Sequence, residues 1–282
     1  MGRHGALQYL FLLFVSVFSL GVLLASPSLA EDGSCGLTDR EIVSLAYPDA
    51  KQAADGSVDV GGANVAVAEV NSPDNRAWWI LCKIWPSKPD LILVAVPLTT
   101  EASADYQRGD LELLVFDRRT NAIASRLRLK DALSSDAIAF ERMAFDTALY
   151  RLSEDHTAFG IRKYYLGSAK SNPFAMTALS LFVMDGDVLK QVLEPLAVEQ
   201  AKGETLGDCE GYADDRKRTI AIGKDIHSGF YDLVVTTVTS LTEMKFDESE
   251  TCIDVYTEVN KTRQALSYDG AHYAIPSDMR GY

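Results

Sequence analysis

The sequence predicts a mainly β protein, an antiparallel β-meander that is sandwich-like or propeller-like, with one or two short helices. Short apolar or alternating runs follow one another along the 282-residue chain. Turn residues such as Asp-Gly separate these runs, as in a meander. Helical and strand patterns do not alternate, so the sequence gives no support to a parallel α/β sheet.

Residues 1–30 have the features of a signal peptide. An apolar run from Tyr9 to Ala25 is ended by Pro27, and the small residues Ser28 and Ala30 suit cleavage after Ala30. The alternative is an uncleaved anchor, because the run is about long enough to span a bilayer. We expect cleavage and a periplasmic or secreted protein, with no membrane contact beyond this segment.

The rest of the chain divides near residue 135. We expect an N-terminal β-rich half at 31–135 and a C-terminal β-rich half at 136–282, which could form one continuous domain. The formal net charge is −13. Phosphate backbones and anionic lipids repel such a protein, so nucleic acid is excluded as a partner, whereas a basic partner is favoured.

The four cysteines, Cys35, Cys82, Cys209 and Cys252, all follow the signal segment. An even number in an exported chain predicts disulfides, and three pairings are possible. We favour Cys35–Cys82 and Cys209–Cys252, because each bridge then stays within one half. No C-x2-C spacing or nearby histidine supports a metal site or a redox thiol pair.

The first elements have clear boundaries. Residues 38–41, Thr-Asp-Arg-Glu, form a capping box that begins a helix with Ile42, Leu45 and Ala46 on its apolar face. Residues 80–85 and 91–96 are apolar runs that predict buried strands. Residues 111–116 and 122–129 predict a hairpin.

The second half continues with strands and turns. Residues 137–152 could form a helix, or a loop and a strand. Asp185-Gly186 predicts a hairpin between residues 179–184 and 188–193, because this dipeptide suits a type I′ turn. Residues 268–271 contain a second Asp-Gly dipeptide, which predicts another turn. Further strands are expected at 219–222, 231–241 and 252–257.

Residues 229–235, Gly-Phe-Tyr-Asp-Leu-Val-Val, resemble the core of FG-GAP or VCBS-type β-propeller repeats, and the resemblance covers about residues 223–275. In that family, aspartates before the glycine hold calcium. The matching positions here are Lys224, Ile226 and Ser228, and neither a lysine nor an isoleucine side chain can ligate calcium. We therefore expect no calcium there, and we expect Asp232 to cap local backbone N–H groups at a turn.

No catalytic, cofactor or metal residues are predicted. The chain lacks G-x-S-x-G, S-x-x-K and the glycine-rich nucleotide fingerprints. His156, His227 and His272 lack the spacing of a preorganised zinc site. The 40 acidic residues leave one enzymatic alternative open, an envelope hydrolase of glycosidase type with a dispersed carboxylate site.

Four aromatic residues, Trp78, Trp79, Trp85 and Tyr106, could form a binding surface. The alternative is that they pack in the core beside Cys82. Taken together, the sequence favours an exported, non-enzymatic binding protein of a bacterial envelope. Its expected partner is a basic envelope protein or a cell-wall glycan.

Cleavage after Ala30 predicts that the native protein begins at Glu31, because signal peptidase cuts after small residues. Intact-mass spectrometry of protein purified from the envelope fraction measures this directly. Recovery of a chain that still begins at Met1 would contradict the prediction.

Overall fold

The computed structural model describes residues 35–68, 77–207 and 209–282, so the predicted signal peptide at 1–30 lies outside the described residues. Within these ranges the chain forms one α-helix, fourteen strands and a short 3-10 turn. The helix is α1 (Asp39–Ala46), and the 3-10 turn covers Ser277–Met279. The first seven strands are β1 (Lys51–Gln52), β2 (Val58–Val60), β3 (Ala63–Val65), β4 (Leu81–Ile84), β5 (Leu91–Ala102), β6 (Gln107–Asp117) and β7 (Ile123–Ser135). The other seven are β8 (Ile138–Arg151), β9 (Thr157–Gly167), β10 (Phe174–Asp185), β11 (Val188–Leu206), β12 (Glu210–His227), β13 (Phe230–Phe246) and β14 (Cys252–Leu266).

The strands form two antiparallel sheets of seven strands each. The first sheet has the order β1-β2-β3-β5-β6-β7, with β4 also paired to β5. The second is an uninterrupted meander in which β8 to β14 lie side by side in chain order. This confirms the predicted mainly β, antiparallel meander with little helix. The chain passes from the first sheet to the second between Ser135 and Ile138.

The capping box at the start of α1 is confirmed. Thr38 Oγ1 accepts a hydrogen bond from the Glu41 N–H at 3.3 Å, and Glu41 Oε2 accepts one from the Thr38 N–H at 2.7 Å. The predicted apolar face is partly wrong, because Leu45 is exposed and Val43 is buried beside Ile42 and Ala46. In this two-turn helix, the contact with the first sheet determines which face is buried.

Both faces of the first sheet are buried along β5. Leu93 and Ala95 point to one face and join an apolar cluster shared with the second sheet, which we call the intersheet cluster. Ile92 and Val94 point to the other face and pack in a cluster with α1. Burial on both sides explains why this strand has a continuous apolar run rather than an alternation.

The second sheet has a further cluster of its own. It includes Leu179, Leu196 and Leu233, and it is covered by the C-terminal segment through Tyr273 and Met279. Residues 137–152, for which helix and strand were both open, form β8. Phe140 and Phe145 both join the intersheet cluster, and the register shift between Phe140 and Arg142 allows these residues, which are five apart, to face the same side.

The predicted hairpins are present, with one difference in turn geometry. Asp185 pairs with Val188, so the turn residues are Gly186 and Asp187. Gly186 has a φ of +64°, whereas Asp185 is not in the left-handed region. A type I′ turn over Asp185-Gly186 is therefore wrong, although the hairpin itself is confirmed. At the hairpin between β12 and β13, Ser228 and Gly229 both have positive φ.

The predicted disulfides are confirmed, with Cys35 joined to Cys82 and Cys209 joined to Cys252. The first bridge ties the segment before α1 to β4. The second ties the residue before β12 to the first residue of β14. Each bridge therefore fixes segments that are distant in the sequence.

Removing the second bridge by Cys209→Ser with Cys252→Ser should lower the free energy of unfolding by about 4 kcal/mol. The reason is that a cross-link over 43 residues restricts the unfolded chain. Urea denaturation of the oxidised proteins measures the difference. A loss below about 1 kcal/mol would contradict the chain-entropy account.

Candidate functional site

Trp85 does not belong to a binding surface, and this part of the sequence interpretation is wrong. Its side chain is 1% exposed and lies in the intersheet cluster. Its ring meets the ring of Phe159 edge to face, with 5.2 Å between the centroids. An indole buried in this way contributes to stability rather than to recognition of a partner.

The other three aromatic residues lie in different surroundings. Trp78 is half-buried against the intersheet cluster, with its ring 5.6 Å from that of Phe140. Trp79 is also half-buried, and its backbone forms an isolated β-bridge with Ala66. Tyr106 is exposed before β6, near the guanidinium of Arg108. With Trp85 inside the core, the four residues do not form the predicted aromatic surface.

Asp232 differs from the expected turn cap. Its carboxylate is buried, and Oδ1 lies 2.7 Å from Nδ1 of His227. Oδ2 accepts a hydrogen bond from the Ser267 hydroxyl at 3.2 Å. Asp232 therefore joins β12, β13 and the segment after β14 through side chains, not through backbone N–H groups. The two other histidines lie in turns, where His156 contacts Ser153 and Asp269 accepts from the His272 N–H.

The most prominent buried carboxylates lie side by side on β6 and are already paired with arginines. Asp110 Oδ2 lies 2.7 Å from Nε of Arg128, and Glu112 Oε1 lies 3.0 Å from Nε of Arg126. Burial opposes ionisation of Asp110, but hydrogen bonds from the Asp131 N–H and Arg128 outweigh it, so the pKa of Asp110 is lowered. Tyr47 donates its hydroxyl to Glu112 at 2.6 Å.

The most exposed part of the fold is the end of the second sheet that carries the second disulfide. We define the acidic arm as residues 206–207, 209–216 and 240–258, which comprise parts of β11 to β14. Strand β14 is the last strand of this sheet, and its residues from Cys252 to Ala265 are all exposed. Both faces of the strand are therefore open to solvent along nearly its whole length.

The acidic arm concentrates the charge of the protein. It contains nine acidic and two basic residues, a net charge of −7 out of −13 for the chain. Exposed apolar side chains lie among these acids. They are Leu206, Tyr212, Phe246, Ile253, Val255 and Tyr256. Such a mixture of charge and exposed apolar area is typical of a surface that contacts a partner.

Sequence reasoning missed the acidic arm as a site, although part of the signal was present. Three acids occur among residues 247–250, and two more occur at 214 and 215. Strand β12 holds residues 214 and 215 and pairs with β13, which leads into the turn at 247–250. The charge density becomes visible only when this pairing places both segments at the same end of the sheet.

Comparisons with protein-family models, with curated proteins and with solved structures find no match for this chain. The resemblance of residues 223–275 to FG-GAP or VCBS-type repeats thus stays a prediction. Within the described ranges, no helix is long and apolar enough to cross a membrane. The same residues contain no group of three or more histidine, cysteine or acidic side chains placed to hold a metal ion.

The burial of Trp85 leads to a test that separates packing from recognition. Trp85→Ala should lower the free energy of unfolding by about 3–5 kcal/mol, because it empties a packed site between the sheets. Tyr106→Ala, at an exposed position, should change it by less than about 1 kcal/mol. Urea denaturation of both variants measures this, and equal effects would contradict the assignment of Trp85 to the core.

Proposed function

We propose that this is an exported, non-enzymatic binding protein that holds a basic, extended segment of an envelope protein along β14 of the acidic arm. The single observation that carries the proposal is the exposure of β14. It is a 15-residue edge strand that is exposed on both faces over nearly its whole length, and its first seven residues, 252–258, belong to the acidic arm. An edge strand offers unpaired N–H and C=O groups to another extended chain.

Export is supported by the chain's first thirty residues and by the disulfides. The apolar run, Pro27 and the small residues up to Ala30 are those of a cleaved signal peptide. Two disulfides are typical of proteins in the periplasm or outside the cell, where thiols are oxidised.

The charge of the acidic arm favours a basic partner over a neutral one. Nine acids within the arm create a summed negative field, which attracts cations and speeds their association. A cell-wall glycan would use neither the strand edge nor the charge, and it is the less suitable partner.

The enzymatic alternative has less support from the geometry. A glycosidase needs one carboxyl group that is kept protonated near neutral pH and a second that is ionised. The adjacent pair Asp110 and Glu112 is neutralised by Arg128 and Arg126, and the pKa of Asp110 is lowered rather than raised. Burial does raise the pKa of Asp39, and its carboxylate accepts the Ala68 N–H at 2.8 Å. This bond anchors α1 and suits a structural role.

The proposal can be tested with a defined probe, a fluorescent peptide in which lysine alternates with threonine and valine. The arm variant combines Glu243→Gln, Glu248→Gln, Asp254→Asn and Glu258→Gln, all at exposed positions. It should bind the peptide about ten-fold more weakly at low salt, because four attractive charges are lost. No single one of these substitutions should abolish binding. Fluorescence anisotropy measures the affinity, which should fall as salt rises.

A matched control removes the same number of charges elsewhere. It combines Asp90→Asn, Glu101→Gln, Asp105→Asn and Glu154→Gln, which are also exposed. This control should retain most of the affinity, and hydrogen exchange should show new protection in residues 252–266 on binding. Equal losses in the two variants, or protection confined to other strands, would overturn the proposal. The proposal would also be overturned if the folded protein hydrolysed a cell-wall glycan and replacing a single carboxylate by its amide abolished this hydrolysis.

A further inference from the structure

A second feature, separate from the acidic arm, is a cavity between the two sheets. Its volume is about 390 Å³, and it lies between β7 on one side and β9, β10 and β11 on the other. Much of the wall is apolar. The apolar lining includes Leu111, Leu129, Ala132, Ile161, Phe182 and Pro195.

The cavity contains one buried cation, Lys163. Its side chain is on the inner face of β9, and Nζ donates a hydrogen bond to the carbonyl oxygen of Ala132 at 2.8 Å. Burial lowers the pKa of Lys163 to about 8. No carboxylate among the described residues forms an ion pair with it, whereas the neighbouring Arg162 lies 2.7 Å from Asp146.

The charged groups around the cavity do not neutralise Lys163. On β7, Arg128 is engaged by Asp110, and Lys130 and Asp131 are exposed. On β9, the ring of Tyr165 lies 5.7 Å from Nζ. The segments from β10 and β11 contribute Ser180 and Gln191, and Tyr282 also lines the cavity. Among the described residues, no lining carboxylate forms an ion pair with this buried ammonium.

The cavity is larger than hydration of the Lys163 ammonium would require. One water molecule occupies about 30 Å³, so this space exceeds what is needed to complete the hydrogen bonds of an ammonium group. A volume of about 390 Å³ falls in the range of small-molecule sites. Lining residues Lys130 and Asp131 are exposed and Tyr282 is 51% exposed, so the cavity reaches the surface.

We propose that the intersheet cavity binds a small organic carboxylate with an apolar body. The carboxylate pairs with the Lys163 ammonium, and the body lies against Leu111, Ile161 and Phe182. Apolar walls with one well-placed charged group are the usual features of a site that fixes the orientation of an amphipathic ligand. The site lies outside the acidic arm and does not depend on the function proposed for it.

Binding of such an anion has a defined pH dependence. The ligand needs the charged form of Lys163, and this form predominates in the free protein below about pH 8. Affinity should therefore be constant below that pH and fall as the pH rises through it. The bound carboxylate favours the ammonium, so binding above pH 8 should take up a proton.

The experiment uses 2-naphthoate as the probe and its neutral isostere 2-naphthamide as the comparison, measured by isothermal titration calorimetry at pH 7. The folded, disulfide-bonded protein should bind the carboxylate at least ten-fold more tightly than the amide. Lys163→Met should remove this preference and the pH dependence. Lys224→Met, which removes a charge at an exposed position, should leave both unchanged.

Thermal unfolding checks that Lys163→Met is folded, and the variant should melt at the same or a higher temperature because it no longer buries an unpaired charge. The proposal is overturned if wild-type protein does not bind naphthoate, or if it binds the carboxylate and the amide equally. It is also overturned if the folded Lys163→Met variant keeps the full preference for the carboxylate.

Discussion

The packing of the inner faces of the two sheets is the contact on which the rest of the structure depends. Trp85 from the first sheet meets Phe159 and its neighbours from the second, and this intersheet cluster holds two seven-stranded sheets together. The first sheet does not cover the second completely. Strands β12 to β14 are 18, 17 and 15 residues long, and the ends of these strands that form the acidic arm lie outside the three apolar clusters. The arm is thus exposed because the packing of the two sheets does not extend to it.

The cavity around Lys163 has a local cause in the same packing. The pairing of β6 with β7 shifts register between Gly109 and Leu111, and Asp131 has a φ of +51° at this irregularity. A β-bulge bends its strand and frees backbone groups from the ladder. Here the N–H of Asp131 goes to Asp110, and the Ala132 carbonyl accepts from Lys163. The bulge therefore supplies both the space and the hydrogen-bond acceptor that a buried lysine requires.

The sequence contains much of the fold and little of either site. Local chemistry suffices for the capping box at Thr38 and for the hairpin after Asp185, because the deciding residues are neighbours in the chain. The predicted environments of Leu45 and Trp85 are wrong, because the burial of each residue depends on which sheet face lies opposite it. The burial of Lys163 has one indication in the sequence. Adjacent residues in a strand point to opposite faces, so one of Arg162 and Lys163 must point inward if one face of the strand is covered.

Retaining Lys163 has an energetic consequence that bears on its role. A pKa lowered from 10.5 to about 8 corresponds to about 3 kcal/mol of destabilisation near neutral pH, and this cost is lost as the pH rises from about 8 to the unfolded value of 10.5. For a domain that is stable by 5–15 kcal/mol in typical cases, about 3 kcal/mol is a large fraction. A carboxylate ligand would supply the missing counter-charge and offset the cost on binding. The acidic arm is remote from this event, because the stretch of β11 from Pro195 to Leu206 spans roughly 35 Å at about 3.3 Å per residue. The two sites therefore act independently unless the bulges of β11 transmit a shift in register from one to the other.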